Sequence, residues 1–300
     1  MTDATRGLTT RGTTRIGPTT FRWRERTFVM GILNITPDSF SGDGLLAAPG
    51  GADPVEAAVE QARRMVAEGA DILDVGGEST RPGHESVSED EERARVLPVI
   101  AAVRSALPAM PISVDTTKPA IAEAALASGA DLINDVWAVG DDDSLARLAA
   151  DHGVPLIVMH NREQPVYRTF MPELIADLQR ALDRAARLGV AWDDLIVDPG
   201  FGFGKTPDHN LELLRELDAL RMLGRPILLG ASRKSTLGRV LDLPASDRLE
   251  ATLATTALGI AAGIDIIRVH DVEANVRAAR MTDAVVRGAR GLGGAEGGGS

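Results

Sequence analysis

The sequence predicts an α/β protein with a single domain, an eight-stranded parallel β/α barrel (TIM barrel). Eight short apolar runs alternate with longer segments of helical periodicity, and near-continuous apolar strands joined by helices indicate a parallel sheet covered on both faces. From residue 28 onwards the alternation covers roughly 260 residues, close to the ~250 residues of a closed eightfold barrel. An open doubly wound sheet is the alternative, but "NITPDSFSGDG" after the first strand lacks the G-x-G-x-x-G pattern.

The predicted strands are runs of aliphatic residues that end at polar or turn-forming positions. In chain order they are "FVMGILNI", "ADILDVGGE", "PISVD", "DLIND", "VPLIVMH", "DLIVD", "RPILLGASRK" and "DIIRVH". The segment "TFRWRERTFVM", which overlaps the first of them, is expected to add a short hairpin across the bottom of the barrel.

Helical periodicity fills the gaps between these strands. In "DPVEAAVEQARRMVAEG" and "MPELIADLQRALDRAARLG", apolar residues recur at spacings of three and four, and charged residues occupy the other face. Glycine favours the left-handed conformation that follows many helices. We therefore expect helices to end at Gly69, Gly129 and Gly189.

The two ends of the chain differ in composition from its middle. Residues 1–20 are Thr-rich and without pattern, and residues 290–300 form a Gly-rich tail, so we expect both to be flexible. The barrel is assigned to residues 21–289, because no linker interrupts the alternation there.

Composition and charge exclude several classes of function. The chain has 300 residues, 44% of them hydrophobic, and a formal net charge of −11, which disfavours nucleic acid as a partner. No window approaches the ~20 apolar residues of a membrane span, and the N-terminus has no apolar signal segment, so we expect a cytoplasmic protein without membrane contact. The lack of cysteine excludes disulfides, thiolate catalysis and Cys-ligated zinc.

Polar side chains stand at the carboxyl end of every predicted strand. Each one alone has a simpler interpretation, because Asn or Asp after a strand commonly caps the next helix. Eight such ends together favour a ligand site, because they meet at one face of a barrel and would be costly to bury unpaired. The set is Asn34; Glu78, Ser79, Thr80 and Arg81; Asp115; Asn134 and Asp135; His160; Asp198; Ser232, Arg233 and Lys234; and Arg268 with His270.

The residue types indicate a ligand with two chemically different parts. Asp115, Asn134 and Asp198 supply hydrogen-bond acceptors. Together with the donors of Lys234, they suit a flat heterocycle that carries several N–H and C=O groups.

The other part of the ligand is expected to be an anion. A cationic set, Arg81, Arg268 and His270, suits phosphate oxygens, and "SRKS" precedes a possible helix N-terminus. Mg²⁺ held by oxygen ligands together with a substrate diphosphate is compatible with this set.

Two other motifs do not support a site of their own. "PGFGFGKT" resembles a phosphate-binding P-loop, but the pattern requires glycine where this chain has Pro199. The five histidines are scattered and lack H-E-x-x-H spacing, so a His-based zinc site is not expected.

Seven segments in order resemble the signature motifs of the dihydropteroate synthases, transferases of folate biosynthesis. They are "MGILNITPDSFSGDG", "GADILDVGGESTRPG", "ISVDTTKP", "GADLINDVWA", "LIVDPGFGFGKT", "ILLGASRKS" and "IIRVHDV", spread over about residues 28–285. That family condenses 6-hydroxymethyl-dihydropterin diphosphate with 4-aminobenzoate and releases diphosphate. The resemblance implies pterin binding, Mg²⁺ as cofactor, a homodimer, and an aminobenzoate site that makes the enzyme either a sulfonamide target or a resistant variant.

Carried over motif by motif, the resemblance implies a role for each matching residue. The pterin would be held by Asp115, Asn134, Asp198 and Lys234. Diphosphate would be bound by Asn34, Arg81, Arg268 and His270, with Asn34 also near the metal. The aminobenzoate side would be lined by Thr80, Phe203, Ser232, Thr36, Pro37 and Phe40. Catalysis would rest on Asp115, Asp198, Lys234 and Asp38.

The implied chemistry explains these residue types. If the bond between the pterin methylene and diphosphate breaks first, positive charge spreads into the pterin, where Asp115 and Asp198 stabilise it. Mg²⁺ and the cationic set stabilise the leaving diphosphate. A lid formed by residues 36–40, which include Asp38 and Phe40, would exclude the water that otherwise captures the cation.

One departure and two alternatives accompany the resemblance. After the fifth strand the family pattern expects glycine where "MHNREQPVYRTF" has Glu163. Related barrels bind methylated folates as methyltransferases, but the cationic set and the lack of an adjoining cobalamin-binding region argue against that function. A paralogue that only binds pterin is less compatible with the intact Asn34, Arg81 and Lys234.

Overall fold

The computed structural model describes residues 12–36, 53–78, 87–138 and 140–288. Each predicted apolar run contains a strand, because its side chains can be buried on both faces of a sheet. Before these runs, β1 (Thr13–Ile16) and β2 (Thr19–Arg22) form an antiparallel hairpin. The parallel strands of the described chain are β3 (Phe28–Asn34), β4 (Ile72–Gly76), β5 (Ile112–Asp115), β6 (Leu132–Asp135), β7 (Leu156–Met159), β8 (Leu195–Asp198), β9 (Leu228–Leu229) and β10 (Ile266–Val269).

The parallel strands form a barrel in the order β8-β7-β6-β5-β4-β3-β10-β9. A parallel bridge between Val197 in β8 and Ile227, just before β9, joins the two ends of this sheet. The expected eightfold barrel is therefore confirmed. The seventh parallel strand is shorter than "RPILLGASRK" suggests, because the chain leaves the extended conformation before Arg233, whose φ is 56°.

Helices follow the parallel strands and cover the outside of the barrel. Gly69, Gly129 and Gly189 lie at or just after helix ends with φ angles of 105°, 113° and 109°, which confirms the predicted helix ends. In the described ranges the helices are α1 (Pro54–Glu68), α2 (Glu89–Ala106), α3 (Pro119–Ala127), α4 (Ser144–His152), α5 (Phe170–Arg187), α6 (Pro207–Arg215), α7 (Ser235–Leu241), α8 (Leu249–Ala262) and α9 (Val272–Val286).

Side chains along each strand alternate between the barrel interior and the helix-facing side. In β8, Leu195 and Val197 belong to the outer core that packs against the helices, whereas Ile196 belongs to a separate inner cluster. In β10, Ile266 is likewise inside and Ile267 outside. Each strand therefore sends every second residue toward the barrel axis.

The hairpin of β1 and β2 covers the N-terminal ends of the parallel strands, which form the bottom of the barrel. Ile16, Phe21 and Trp23 share one buried cluster with Phe28, the first residue of β3. The expected hairpin at the bottom is confirmed, but it begins at Thr13, earlier than "TFRWRERTFVM" indicates.

The N-terminal boundary drawn from the sequence is wrong in part. It assigns residues 1–20 to a flexible segment, yet residues 13–20 supply most of the hairpin. Residues 13–20 contain few apolar residues and therefore show no strand pattern in the sequence. The hairpin is stabilised by packing against the barrel bottom, which local sequence does not reveal. The predicted tail at residues 290–300 lies outside the described residues. Within the described ranges, no helix combines the length and apolarity required to cross a membrane.

Candidate active site

At the carboxyl end of the barrel, called the mouth here, polar residues occupy the interior positions. Two residues after the buried Ile196, the same alternation points Asp198 inward, and two residues after Ile266 it points Arg268 inward. The apolar strand beginnings hold these polar ends in place because they pack in the core below. The strand-end residues that this alternation directs inward are Asn34, Asp115, Asn134, Asp198 and Arg268.

Arg268 links two carboxylates from neighbouring strands. Its Nε lies 2.5 Å from Oδ2 of Asp74, and its Nη2 lies 2.7 Å from Oδ2 of Asp115. Nδ2 of Asn134 also donates to Asp74 Oδ2, at 3.3 Å. A single buried carboxylate thus orients both an arginine and an amide at the mouth.

Asp74 is a site residue that the sequence analysis missed. It lies in the middle of β4 rather than at its end, and its side chain is fully buried. The available signal was an ionisable residue inside the apolar run "ADILDVGG", because buried carboxylates require a paired charge or several hydrogen bonds.

The carboxylate oxygens at the mouth are incompletely satisfied. Oδ1 of Asp74 and Oδ1 of Asp115 are buried, and neither accepts a hydrogen bond from any described residue. Burial raises the pKa of Asp115 to about 7 against the opposing charge of Arg268. Acceptors of this kind are matched by a ligand that carries N–H donors.

Asp198 and Lys234 form the opposite wall of the mouth. Burial raises the pKa of Asp198, whose Oδ1 accepts a hydrogen bond from the backbone N–H of Gly200 at 2.7 Å. Lys234 Nζ donates to the carbonyl of Phe201 and lies 4.0 Å from the centroid of the Phe203 ring. Burial lowers the pKa of Lys234 to about 7.

The comparisons with known proteins agree with this geometry. A family profile described as "Pterin binding enzyme" matches residues 30–270. The dihydropteroate synthase of Clostridium beijerinckii is 48% identical over 274 residues, which cover 91% of this chain and 99% of that protein.

The chain belongs to the dihydropteroate synthase family.

Solved structures of family members have the same fold. The Clostridium difficile dihydropteroate synthase, determined in the presence of pteroic acid, superposes with a TM-score of 0.83 at 46% identity, covering 89% of this chain and 99% of that one. The Xanthomonas albilineans dihydropteroate synthase with 4-aminobenzoic acid gives a TM-score of 0.81 at 41% identity, covering 87% and 93%. The resemblance read from the sequence is confirmed, as are the barrel and the transferase activity that joins a pterin to 4-aminobenzoate.

The four residues that the family resemblance assigns to the pterin are brought to one mouth. Asp115 and Asn134 are register partners on adjacent strands, and Arg268 connects Asp115 to Asp74. Arg268, which the resemblance assigns to diphosphate, therefore lies among the pterin-assigned residues in this structure.

The rest of the diphosphate-assigned set is spread around the rim of the mouth. Asn34 is the half-buried last residue of β3, and its side chain makes no hydrogen bond with another described residue. His270 Nδ1 lies 3.0 Å from Oγ of Ser232, which also accepts from the His270 backbone N–H at 3.2 Å. Arg81 lies outside the described residues.

The aminobenzoate-assigned residues of the family pattern are described in part. Thr36 and Ser232 are buried beside the mouth, and the half-buried Phe203 contacts Lys234. The remaining members of this set and the lid aspartate lie outside the described residues: Pro37, Asp38, Phe40 and Thr80.

Some polar strand ends do not face the mouth, although the sequence places them there. Asp135 follows the inward Asn134, so it points to the helix-facing side and its Oδ1 caps the backbone N–H of Trp137 at 2.9 Å. His160 points toward α5. The convergence expected for these two residues is wrong, because neighbouring residues of a strand point to opposite faces. Arg233, which lies beyond the end of β9, forms an ion pair with Asp271.

The donor set at the mouth is compatible with Mg²⁺ only if the substrate contributes ligands. No group of three or more His, Asp or Glu with metal-binding geometry occurs in the described residues. The amide oxygen of Asn34 is a hard donor of the kind Mg²⁺ accepts, and Mg²⁺ in phosphate-handling sites takes its other ligands from phosphate and water. The residues present therefore fit a metal that arrives with the diphosphate.

Proposed function

We propose that this site performs the family reaction by a dissociative route, with the pterin held by Asp115, Asn134, Asp198 and Lys234. The observation that carries the proposal is the pair of buried carboxylates, Asp115 at the end of β5 and Asp198 at the end of β8, at one barrel mouth. Asp115 Oδ1 has no described donor, which suits a ring N–H or amino group. The donors of Lys234 complement a ring carbonyl.

The proposed first step breaks the C–O bond between the pterin methylene and the diphosphate. The electron pair leaves with the diphosphate, and the positive charge spreads from the methylene into the ring, near Asp115 and Asp198. In the second step the amine nitrogen of 4-aminobenzoate attacks the methylene carbon, and the new secondary amine loses one proton, which the released diphosphate accepts. No covalent bond to the protein is required, in keeping with the lack of cysteine in the chain.

We propose that Asn34 contributes the protein ligand to Mg²⁺ and that His270 and Arg268 contact diphosphate oxygens. The metal would neutralise charge on the leaving group. Arg268 lies at the junction of the two ligand parts, because its guanidinium is already bonded to the pterin-assigned Asp115.

The aminobenzoate side is proposed to lie where Ser232, Phe203 and Thr36 border the mouth. The dihydropteroate synthase of Xanthomonas albilineans crystallised with 4-aminobenzoic acid supports this substrate for the family. We propose that residues 36–40 close over the site, because exclusion of water protects the cation until the amine attacks.

Isotope exchange tests the dissociative step directly. Pterin diphosphate labelled with ¹⁸O at the bridging oxygen is incubated with enzyme and Mg²⁺ but without 4-aminobenzoate. A free cation lets the diphosphate rotate and recombine, so the label should move to non-bridging positions. Retention of the label in active enzyme would support a concerted displacement instead. Dihydropteroate formation is then measured after addition of 4-aminobenzoate, with and without a sulfonamide. Inhibition by the sulfonamide would identify the enzyme as a sulfonamide target, and unchanged product formation would identify it as a resistant variant.

We further propose a homodimer formed through α8 and α9. These two helices pack together, and their outward side chains Leu258, Met281 and Val285 are 58%, 66% and 72% exposed. Sedimentation velocity should give twice the chain mass, and Leu258→Glu should shift the protein to monomers.

The cytoplasmic location stays a prediction.

A further inference from the structure

The lysine of the P-loop-like stretch "PGFGFGKT" makes its hydrogen bonds with His160 and with its own loop, and none of them with a pterin-assigned residue. Lys205 Nζ lies 3.0 Å from Nδ1 of His160 and 2.9 Å from the carbonyl oxygen of Phe203. It also approaches the carbonyl oxygen of His160, at 3.4 Å. The ammonium group therefore joins the end of β7 to the loop that follows β8.

His160 links Lys205 to α5. The imidazole is fully buried, and its Nε2 lies 3.1 Å from Oδ2 of Asp177. Because Nδ1 accepts from the ammonium of Lys205, Nε2 carries the ring hydrogen and donates to Asp177. Arg162 holds the same carboxylate oxygen through Nε at 2.9 Å and Nη2 at 2.7 Å.

The loop after β8 also touches the loop after β7 through its backbone. Gly200 and Gly204 have φ angles of 67° and 54°, and a Cβ at either position would overlap the backbone of His160 or Arg162. The hydroxyl of Tyr167 donates to the carbonyl oxygen of Gly204 at 2.7 Å. The two loops are thus held together at several points over a short stretch.

The loop after β8 carries groups that form the mouth. Asp198 precedes it, Phe201 accepts a hydrogen bond from Lys234, and the Phe203 ring lies under the Lys234 ammonium. The carbonyl of Phe203 accepts a hydrogen bond from Lys205. Phe203 therefore contacts Lys234 through its ring and Lys205 through its backbone carbonyl.

We propose that Lys205, His160 and Asp177 are positioning residues that set the place of Phe203 at the mouth and thereby the affinity for 4-aminobenzoate. The assignment rests on the proposed function, in which Phe203 lines the aminobenzoate side. A purely space-filling role does not require the observed arrangement, because an apolar side chain would fill the volume behind the loop without a buried ammonium group. The directed bond to the Phe203 carbonyl is what links this network to the ligand.

The test compares Lys205→Met with wild type in two separate measurements. The KM for 4-aminobenzoate should rise by about tenfold, the size expected for losing a buried hydrogen bond that places the binding wall. The dissociation constant for pterin diphosphate, measured by calorimetry without 4-aminobenzoate, should stay within about twofold. Equal loss in both measurements, or no change in KM, would overturn the proposal.

Two controls separate positioning from general structural damage. Arg180→Ala removes another partner of Asp177 that is 71% exposed and does not touch His160, so its kinetics should match wild type. Tyr167→Phe removes only the hydroxyl contact to Gly204 and should raise the same KM by about two- to threefold. If Lys205→Met fails to fold, Tyr167→Phe decides the question, and an unchanged KM then counts against the proposal.

A double-mutant cycle shows whether Lys205 acts through Phe203. In a Phe203→Ala background, Lys205→Met should add little further rise in KM, because the ring that it positions is gone. Additive effects would overturn the proposed link. If Phe203→Ala alone leaves the KM unchanged, the aminobenzoate role of Phe203 fails, whereas an inert Lys205→Met beside an impaired Phe203→Ala rejects the positioning role alone.

Discussion

At the bottom of the barrel, Phe21 and Phe28 pack edge to face with ring centroids 4.8 Å apart, and Trp23 stacks on Phe21 at 5.6 Å. At the mouth, Asp115 and Arg268 face the same interior and form an ion pair at 2.7 Å. The parallel strands run from one end to the other with the same alternation, and the hairpin residues Phe21 and Trp23 pack on their beginnings at Phe28. In a β/α barrel, stability can therefore be concentrated at one end and reactive groups at the other.

The difference also appears in how completely polar atoms are satisfied. At the bottom, Trp23 Nε1 donates to Thr14 Oγ1 at 2.9 Å, so the one polar atom of that side chain is paired. At the mouth, Asp74 and Asp115 each retain a carboxylate oxygen without a described donor. Unpaired buried acceptors reduce stability, and a ligand that supplies donors recovers it.

Arg268→Ala should have the largest effect, because it is expected to lower both the stability of the protein and its affinity for the ligand. It leaves Asp74 and Asp115 buried without their cation, which is expected to lower the free energy of unfolding by roughly 3–5 kcal/mol. Affinity should fall for pterin as well as for pterin diphosphate, since the guanidinium contacts the pterin-assigned carboxylate. Urea unfolding and calorimetry measure the two effects, and Arg268→Lys should recover only part of each. Unchanged affinity for plain pterin would assign Arg268 to diphosphate alone.

Phe21→Ala tests the bottom in isolation. Loss of a fully buried aromatic side chain should lower the free energy of unfolding by about 3–5 kcal/mol. The kcat/KM per folded molecule should stay within twofold, because Phe21 packs with Trp23 and Phe28 at the end of the barrel opposite the mouth. A large fall in kcat/KM at a temperature where the variant is fully folded would show that the two ends are coupled.

Asp198→Asn should lower catalytic activity without lowering stability. Removal of a preorganised negative charge next to the developing cation should lower kcat by on the order of 10² or more. Stability should be unchanged or slightly higher, because a buried charge is removed. Thermal unfolding and single-turnover kinetics provide the comparison, and a similar fall in kcat is expected for Asp115→Asn. Wild-type turnover in either variant would remove that residue from the cation-stabilising role.

The smallest expected effect is a pH dependence confined to the mouth. With pKa values of about 7, Asp115 gains its charge and Lys234 loses its charge as the pH rises through neutrality. In the proposed pterin site both charges take part in binding, so affinity should be greatest near pH 7 and fall on either side by severalfold. Lys234→Arg keeps its charge and should remove the alkaline fall while leaving the acidic one. A variant profile that still falls above pH 8 would assign the alkaline limb to another group.

The sequence alone predicted most of the barrel and much of the mouth. Apolar runs such as "DLIVD" combine a buried strand with a polar terminus, so both the strand and the position of Asp198 follow from local pattern. The family motifs added roles that local pattern cannot supply. Roles at Pro37, Asp38, Phe40, Thr80 and Arg81 stay predictions.

Tertiary structure decided which side chains meet. Arg268 bonds with Asp74 and Asp115, which are 194 and 153 residues away in the chain, and no local pattern encodes such a pairing. Which of the neighbours Asn134 and Asp135 points into the barrel depends on the alternation of side chains along β6. Burial of Leu132 at the barrel bottom determines that alternation. Likewise, the sequence around Lys205 resembles a phosphate-binding loop, whereas in the structure Lys205 contacts His160. Sequence thus determined which residues stand at strand ends, because burial of apolar runs is local, whereas pairing across the barrel depended on closure of the sheet.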